Sequence, residues 1–215
     1  MSTVATLQPL GTRAALLHAG RAIVLHAGFG GLTVREVTAA ADANLGSFVY
    51  HFGTRDAFVR ELIEQWYAPL LARVRTVAGS TGGAIHRLRS AVLQLIEFGA
   101  AEEDFVGKLA MGAAAGEPAA RQFLSTLAGR HPRVLLALVR AAQAEGTLVD
   151  EEPLQVLMFL MASVGLPRLI AAAWDGPPVF GKSLSAELGR IARDGDRIAQ
   201  RLEWAIIGLT PRGSR

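Results

Sequence analysis

The stretch TVREVTAAADANLGSFVYHFGTRDAF, residues Thr33–Phe58, decides the fold because it contains three helix starts in quick succession. Thr33 opens a capping box, with a hydroxyl first and a carboxylate three residues later. Asn44 is a favourable N-cap for a helix over Leu45–Phe52, and Thr54 caps the helix that follows. Two short helices separated by a tight turn predict a helix-turn-helix.

The second helix of such a motif enters the DNA major groove and reads bases with its N-terminal and outward side chains. On this helix Leu45, Phe48 and Phe52 share one face, which we predict packs against the two preceding helices. The side chains off this face, available to DNA, are Ser47, Tyr50 and His51.

The sequence also predicts contacts with the phosphate groups of DNA. Helix N-termini bind phosphate through free N–H groups and the helix dipole, and Thr33, Asn44 and Thr54 mark three such ends. Gly46 allows the backbone to approach a phosphate closely, and Arg55 can add a charge-assisted hydrogen bond.

Composition sets broad limits. With 51% hydrophobic and 19% charged residues the chain is globular, and its net charge of +3 permits nucleic-acid binding without arguing for it. The absence of cysteine excludes disulfides and thiolate metal sites and is typical of the reducing cytoplasm. No signal peptide is expected.

The apolar tract from Pro153 carries Gln155 and Arg168 and is interrupted by Pro167, which predicts a buried helix rather than a membrane span.

The rest of the chain is helical in pattern, with strand signals nearly absent. We predict an all-α fold: a three-helix head within residues 1–55, a long fourth helix, and a helical domain over residues 56–210, ending in a disordered tail at 211–215. Pro132 predicts a kink or a break within the pattern at 118–145. The remaining predicted helices are 12–27, 84–102, 105–114, 152–173 and 183–208.

The segment GFGGLTVREVTAAADANLGSFVYHFGTRDAFVREL resembles the DNA-binding segment of the TetR/AcrR family of bacterial transcriptional regulators, over roughly residues 12–65. The resemblance implies a homodimeric repressor of a double-stranded DNA operator, with a C-terminal region that binds a small effector. It also implies that the helices near 152–173 and 183–208 form the dimer interface.

The resemblance assigns roles to single residues. Thr33, Ser47, His51 and Arg55 match positions that contact DNA in the family, whereas Val49 stands where the family usually has a phosphate-binding tyrosine. Asp42 replaces the usual turn glycine. The full set of predicted DNA-binding residues is Thr33, Arg35, Asn44, Leu45, Gly46, Ser47, Val49, Tyr50, His51, Thr54 and Arg55.

Residues 84–208 contain no recognisable catalytic or metal-binding pattern, so we expect no enzyme activity, cofactor or metal. Apolar pockets are built from large side chains with a few polar groups. Arg168 is the most unusual polar residue, and Glu203 is one possible partner for it. The predicted pocket for a largely apolar effector comprises Trp66, Phe98, Phe105, Met111, Phe123, Met158, Met161, Arg168 and Trp174.

Two other functions stay open from the sequence. The chain could be a helical small-molecule carrier or enzyme whose head only resembles a DNA reader, or a dimeric scaffold with a vestigial pocket. Salt-insensitive, sequence-blind DNA binding would favour the carrier, and DNA binding unaffected by any ligand would favour the scaffold.

Overall fold

The computed structural model describes residues 11–173 and 181–211, and these contain eleven α-helices and no strand. The all-α prediction is therefore confirmed. The helices are, in chain order, α1 (Thr12–Ala27), α2 (Val34–Ala40), α3 (Leu45–Phe52), α4 (Arg55–Ala78), α5 (Ala84–Ala101), α6 (Glu103–Ala114), α7 (Pro118–Thr126), α8 (His131–Ala144), α9 (Pro153–Ala173), α10 (Lys182–Arg193) and α11 (Gly195–Gly208). Within the described residues, no helix is both long and apolar enough to cross a membrane.

The helices form two compact units. The first comprises the described residues up to Pro69 together with Glu102–Leu127, and the second comprises Leu70–Ala101 and the residues from Ala128 onward. These units group residues that contact each other, so each contains segments that are distant in sequence. The boundary predicted between residues 55 and 56 instead divides the sequence at one point, and it stays a prediction. Trp174 and residues 212–215 of the predicted tail lie outside the described residues.

In the first unit, α1 packs on α2, α3 and α6. Its centre is a cluster of rings in which Phe58 lies 5.2 Å from Phe48 and 4.8 Å from Phe52, measured between centroids. Gly20 of α1 lies directly against Phe58, since a Cβ atom at Gly20 would stand 2.5 Å from the Phe58 ring. The absence of a side chain at Gly20 thus allows α1 to sit on this aromatic core.

In the second unit, α9 packs on α5, α8, α10 and α11. Val156, Leu160 and Val164 of α9 are buried, as the apolar tract predicted. Pro167 lies inside α9 and does not end it. The helix thus continues through a residue type that normally interrupts a helix.

Two of the predicted helices are each divided. The pattern at 118–145 forms α7 and α8, and Pro132 stands in the first turn of α8, where its missing N–H is not needed. The single helix predicted over 183–208 is wrong, because the chain breaks at Asp194. The Asp194 side chain accepts a hydrogen bond from the Arg197 N–H at 3.0 Å and so starts α11.

Burial of His131 makes the stability of the second unit depend on pH. It lowers the pKa of the His131 imidazole from 6.5 to about 4. The unfolded chain therefore takes up this proton near pH 6.5 and the folded chain only near pH 4, so stability present above pH 6.5 is lost as the pH falls through this range. The loss is on the order of 3 kcal/mol.

We expect the unfolding free energy of His131→Gln to fall less than that of the unmodified protein between about pH 7.5 and pH 4.5. Urea denaturation at the two pH values measures this. The control His86→Gln changes an exposed histidine and should retain the original pH dependence. A His131→Gln variant as acid-sensitive as the unmodified protein would contradict the assignment.

Candidate nucleic-acid interface

Local side-chain hydrogen bonds fix the helix starts of the motif. Thr33 Oγ1 accepts from the Glu36 N–H at 3.2 Å, Asn44 Oδ1 from the Ser47 N–H at 2.8 Å, and Thr54 Oγ1 from the Ala57 N–H at 3.1 Å. The three predicted caps are confirmed. The turn between α2 and α3 passes through Asp42, whose φ of 48° is the left-handed conformation that aspartate tolerates.

Helix α3 divides into a buried and an exposed face. Phe48 and Phe52 are buried, as predicted, but Leu45 is 62% exposed, and its predicted packing against the first two helices is wrong. Leu45 is the first residue of α3 and directly follows the cap. The buried rings of α3 begin three residues later, at Phe48, and Leu45 lies outside this core.

The exposed face of α3 presents side chains suited to a DNA groove. Tyr50 is 85% exposed and Val49 is 51% exposed, while Ser47 and His51 are half-buried. The Tyr50 and His51 rings meet edge to face, with centroids 5.1 Å apart. Four of the predicted contact positions are thus brought together on one short helix.

Two predicted residues lie at the start of α2. The Thr33 hydroxyl donates to the Glu36 carboxylate at 3.0 Å while accepting from the Glu36 N–H, so its capping role is established within the chain. Arg35 is exposed, and its side chain forms no hydrogen bond or ion pair with any described residue, although its backbone carbonyl accepts from the Thr38 hydroxyl at 3.0 Å. Arg35 is therefore the better placed of the two for a phosphate contact.

Arg55 has partners that the sequence did not indicate. Its Nε donates to the Leu32 carbonyl at 2.7 Å, and its Nη2 donates to the Phe29 carbonyl at 2.8 Å and to Glu117 Oε2 at 2.9 Å. In this conformation the guanidinium holds the turn after α1 to the start of α7. A phosphate contact by Arg55 stays a prediction; these three bonds use Nε and Nη2 and leave Nη1, 3.7 Å from Asp56 Oδ1, to make it.

Glu117 is the other half of this link. Its side chain is 9% exposed, and among the described residues its Oε1 has no hydrogen-bond partner. A buried carboxylate that loses its paired cation is strongly destabilising. The Arg55–Glu117 pair therefore ties the geometry of the head to the turn between α6 and α7.

Three predicted pocket residues meet in the first unit. Trp66 packs on Phe105 and Phe123, with centroid distances of 4.7 and 6.2 Å. The Trp66 indole N–H donates to the Glu102 carboxylate at 3.0 Å, and Arg21 donates to the same oxygen at 2.7 Å. This aromatic cluster, consisting of Trp66, Phe105 and Phe123, is apolar with one charged pair at its side.

The other predicted pocket residues are dispersed. Met111 belongs to the first unit and is exposed. Phe98, Met158, Met161 and Arg168 belong to the second, where Met158 is exposed and the others are partly buried. Glu203 forms an ion pair with Arg89.

Two cavities are described in the second unit. One of about 250 Å³ is bordered by Ala171, Ser185 and Arg190, and one of about 180 Å³ by Val149, Val156 and Phe159. Neither is lined by a predicted pocket residue, and both are smaller than a typical drug-sized ligand site. Among the described residues, no group of three or more His, Asp or Glu side chains is placed to hold a metal ion.

Comparison with known sequences agrees with the position of this surface. Residues 16–62 match the profile of bacterial regulatory proteins of the tetR family. The HTH-type transcriptional repressor DhaR of Mycobacterium sp. (strain GP1) is 28% identical over 83 residues, which are 38% of this chain and 42% of that protein. The chain thus matches less than half of the length of this curated relative.

Comparison with solved structures extends the similarity along the chain. The ketosteroid transcriptional regulator KstR2 of Mycobacterium tuberculosis is 19% identical with a TM-score of 0.61, over 95% of this chain and 98% of that one. A protein from Pseudomonas aeruginosa PAO1, provisionally described as a transcriptional regulator, is 22% identical with a TM-score of 0.70. The match covers 94% of this chain and 91% of that one. At such identities these structures establish a shared fold.

Proposed function

We propose that this chain, a member of the TetR/AcrR family of transcriptional regulators, is a homodimeric repressor released from a palindromic operator by a small molecule. The proposal is supported mainly by the exposed face of α3, on which Leu45, Val49 and Tyr50 are open to solvent. The buried rings of Phe48 and Phe52 hold this helix in place. In a dimer, two such helices would occupy successive major grooves about 34 Å apart. A repressor of chromosomal genes would act in the cytoplasm.

The dimer interface is proposed on α9, α10 and α11. Trp204 and Ile207 of α11 are 62% and 67% exposed, and α9 adds Leu154, Phe159 and Leu166 as exposed apolar side chains. Large aromatic and aliphatic side chains that are exposed on helices packed against each other, as α9 and α11 are, often mark protein–protein interfaces, and tryptophan often dominates their affinity.

We expect Trp204→Glu to raise the dimer dissociation constant at least about 30-fold, because the change removes an aromatic anchor and buries a charge. Sedimentation velocity over a concentration series measures this. Val106→Glu alters an exposed aliphatic residue on α6 and serves as the control, which should dimerise normally. Unchanged association of Trp204→Glu would place the interface elsewhere.

The effector site is proposed at the aromatic cluster. The cluster joins α4, α6 and α7, and Arg55 and Glu117 link α4 to the start of α7 within the same unit. Because Trp66 packs on both Phe105 and Phe123, an effector would bind a conformation in which these rings separate. Preferential binding to that conformation would shift the population away from the DNA-binding form. The roles predicted from the sequence for Phe98, Met111, Met158, Met161, Arg168 and Trp174 stay predictions.

DNA capture tests the proposed function. The protein is incubated with fragmented DNA of its source genome, and the bound fragments are sequenced. A Tyr50→Ala/His51→Ala variant serves as the comparison, since neither side chain belongs to the buried phenylalanine core. A short palindrome enriched only by the unmodified protein would support the regulator, and its neighbouring genes would suggest effectors to test for release. No enrichment at moderate salt would favour the carrier function.

A further inference from the structure

The exposed face of α3 is unusually apolar for a surface that meets DNA. Leu45 and Val49 stand four residues apart, which places them on the same side of the helix, and they are 62% and 51% exposed. The core is completed without them by Phe48 and Phe52. Two aliphatic side chains are therefore available for a contact outside the chain.

The same helix lacks the side chains that read purines most specifically. Arginine and lysine pair with guanine, and asparagine and glutamine with adenine, through two hydrogen bonds each. None of these residue types occurs in Leu45–Phe52. The preceding Asn44 caps the helix, with its amide oxygen accepting the Ser47 N–H at 2.8 Å, so its side chain already has a structural role within the chain.

The remaining polar groups on α3 lack the adjacent donor and acceptor that a two-bond contact with a single base requires. They are the hydroxyls of Ser47 and Tyr50 and the imidazole of His51. The exposed Arg35 lies on α2, the helix that crosses the phosphate backbone in this motif. Apolar contact by Leu45 and Val49 is therefore a base-selective interaction for which the exposed face of α3 is well suited.

The major groove has one apolar feature that distinguishes base pairs, the C5 methyl group of thymine. We propose that Leu45 and Val49 are specificity-determining residues that recognise thymine methyl groups in each operator half-site. The inference rests on the proposed function and specifies what the reading helix selects. A valine at position 49 suits this contact because its branched end has no polar group to hydrate.

The test replaces single thymines of the captured operator with deoxyuridine, which removes the methyl group and leaves base pairing intact. We expect one or more positions in each half-site to weaken binding by about 3–10-fold, the effect of one buried methyl group. Restoring the methyl as 5-methylcytosine, compared with cytosine at the same position, should recover part of the affinity. Fluorescence anisotropy titrations measure both effects.

Protein variants assign the effect to the two side chains. Leu45→Ala/Val49→Ala should bind unmodified and deoxyuridine operators with nearly equal affinity. Tyr50→Ala should bind both more weakly yet retain the methyl discrimination. If the unmodified protein binds the operator specifically but ignores every deoxyuridine substitution, the inference is overturned and the proposed function stands. If no specific operator exists, both are overturned.

Discussion

Replacing Val49 with glutamate is expected to weaken specific DNA binding at least about 100-fold while leaving the fold of the head intact. Val49 is half-exposed and lies outside the buried phenylalanine core, so the longer, charged side chain can extend into water without disturbing packing. On DNA, the same carboxylate would approach a surface of phosphates and lose its hydration. Like charges placed together at an interface cost several kcal/mol.

The control for Val49→Glu is Leu124→Glu, which adds the same charge at an exposed aliphatic position of α7 in the same unit. Both variants should show the circular dichroism spectrum and melting temperature of the unmodified protein. Only Val49→Glu should lose operator binding in anisotropy titrations. Equal losses in the two variants would mean that net charge, rather than the face of α3, controls affinity.

Phe58→Ala is expected to destabilise the first unit by about 3–5 kcal/mol. Phe58 is fully buried, and its ring contacts Phe48 and Phe52 of α3 and lies against Gly20 of α1. Truncation removes the ring that supports the reading helix and leaves a cavity that helix backbones cannot fill by small shifts. Urea denaturation followed by circular dichroism gives the change in unfolding free energy.

Tyr50→Ala is the matched aromatic truncation in the same head. Because Tyr50 is 85% exposed, its loss should change the unfolding free energy by less than about 1 kcal/mol while weakening DNA binding. Phe58→Ala thus tests the packing that supports α3, whereas Tyr50→Ala tests the contact of α3 with DNA. A Phe58→Ala protein as stable as Tyr50→Ala would show that the ring cluster does not hold the head together.

The sequence predicted those features that depend on neighbouring residues. The caps at Thr33, Asn44 and Thr54 each accept a hydrogen bond from a backbone N–H three residues later, so their signal is local. The left-handed turn at Asp42 is equally local. These features position the recognition helix, which explains why the fold of the head and most of its exposed face were predictable.

Features that depend on distant residues were not predictable. Glu117 pairs with Arg55 across 62 residues, and no periodicity or motif connects the two. Leu45 shares the helical spacing of Phe48 and Phe52, yet the core ends before reaching it. Only at Asp194 was a signal available and missed, since Asp-Gly marks a turn, but the apolar spacing on both sides had suggested one continuous helix.

The most direct test of DNA reading by α3 is site-specific photocrosslinking on the captured operator. A photoreactive phenylalanine derivative is placed at position 50, where Tyr50 is exposed, and separately at position 124 as a control. We expect crosslinks from position 50 to bases within each half-site and none from position 124. Crosslinking from position 124 alone, with operator binding retained, would show that DNA contacts another surface and would contradict the assignment of α3.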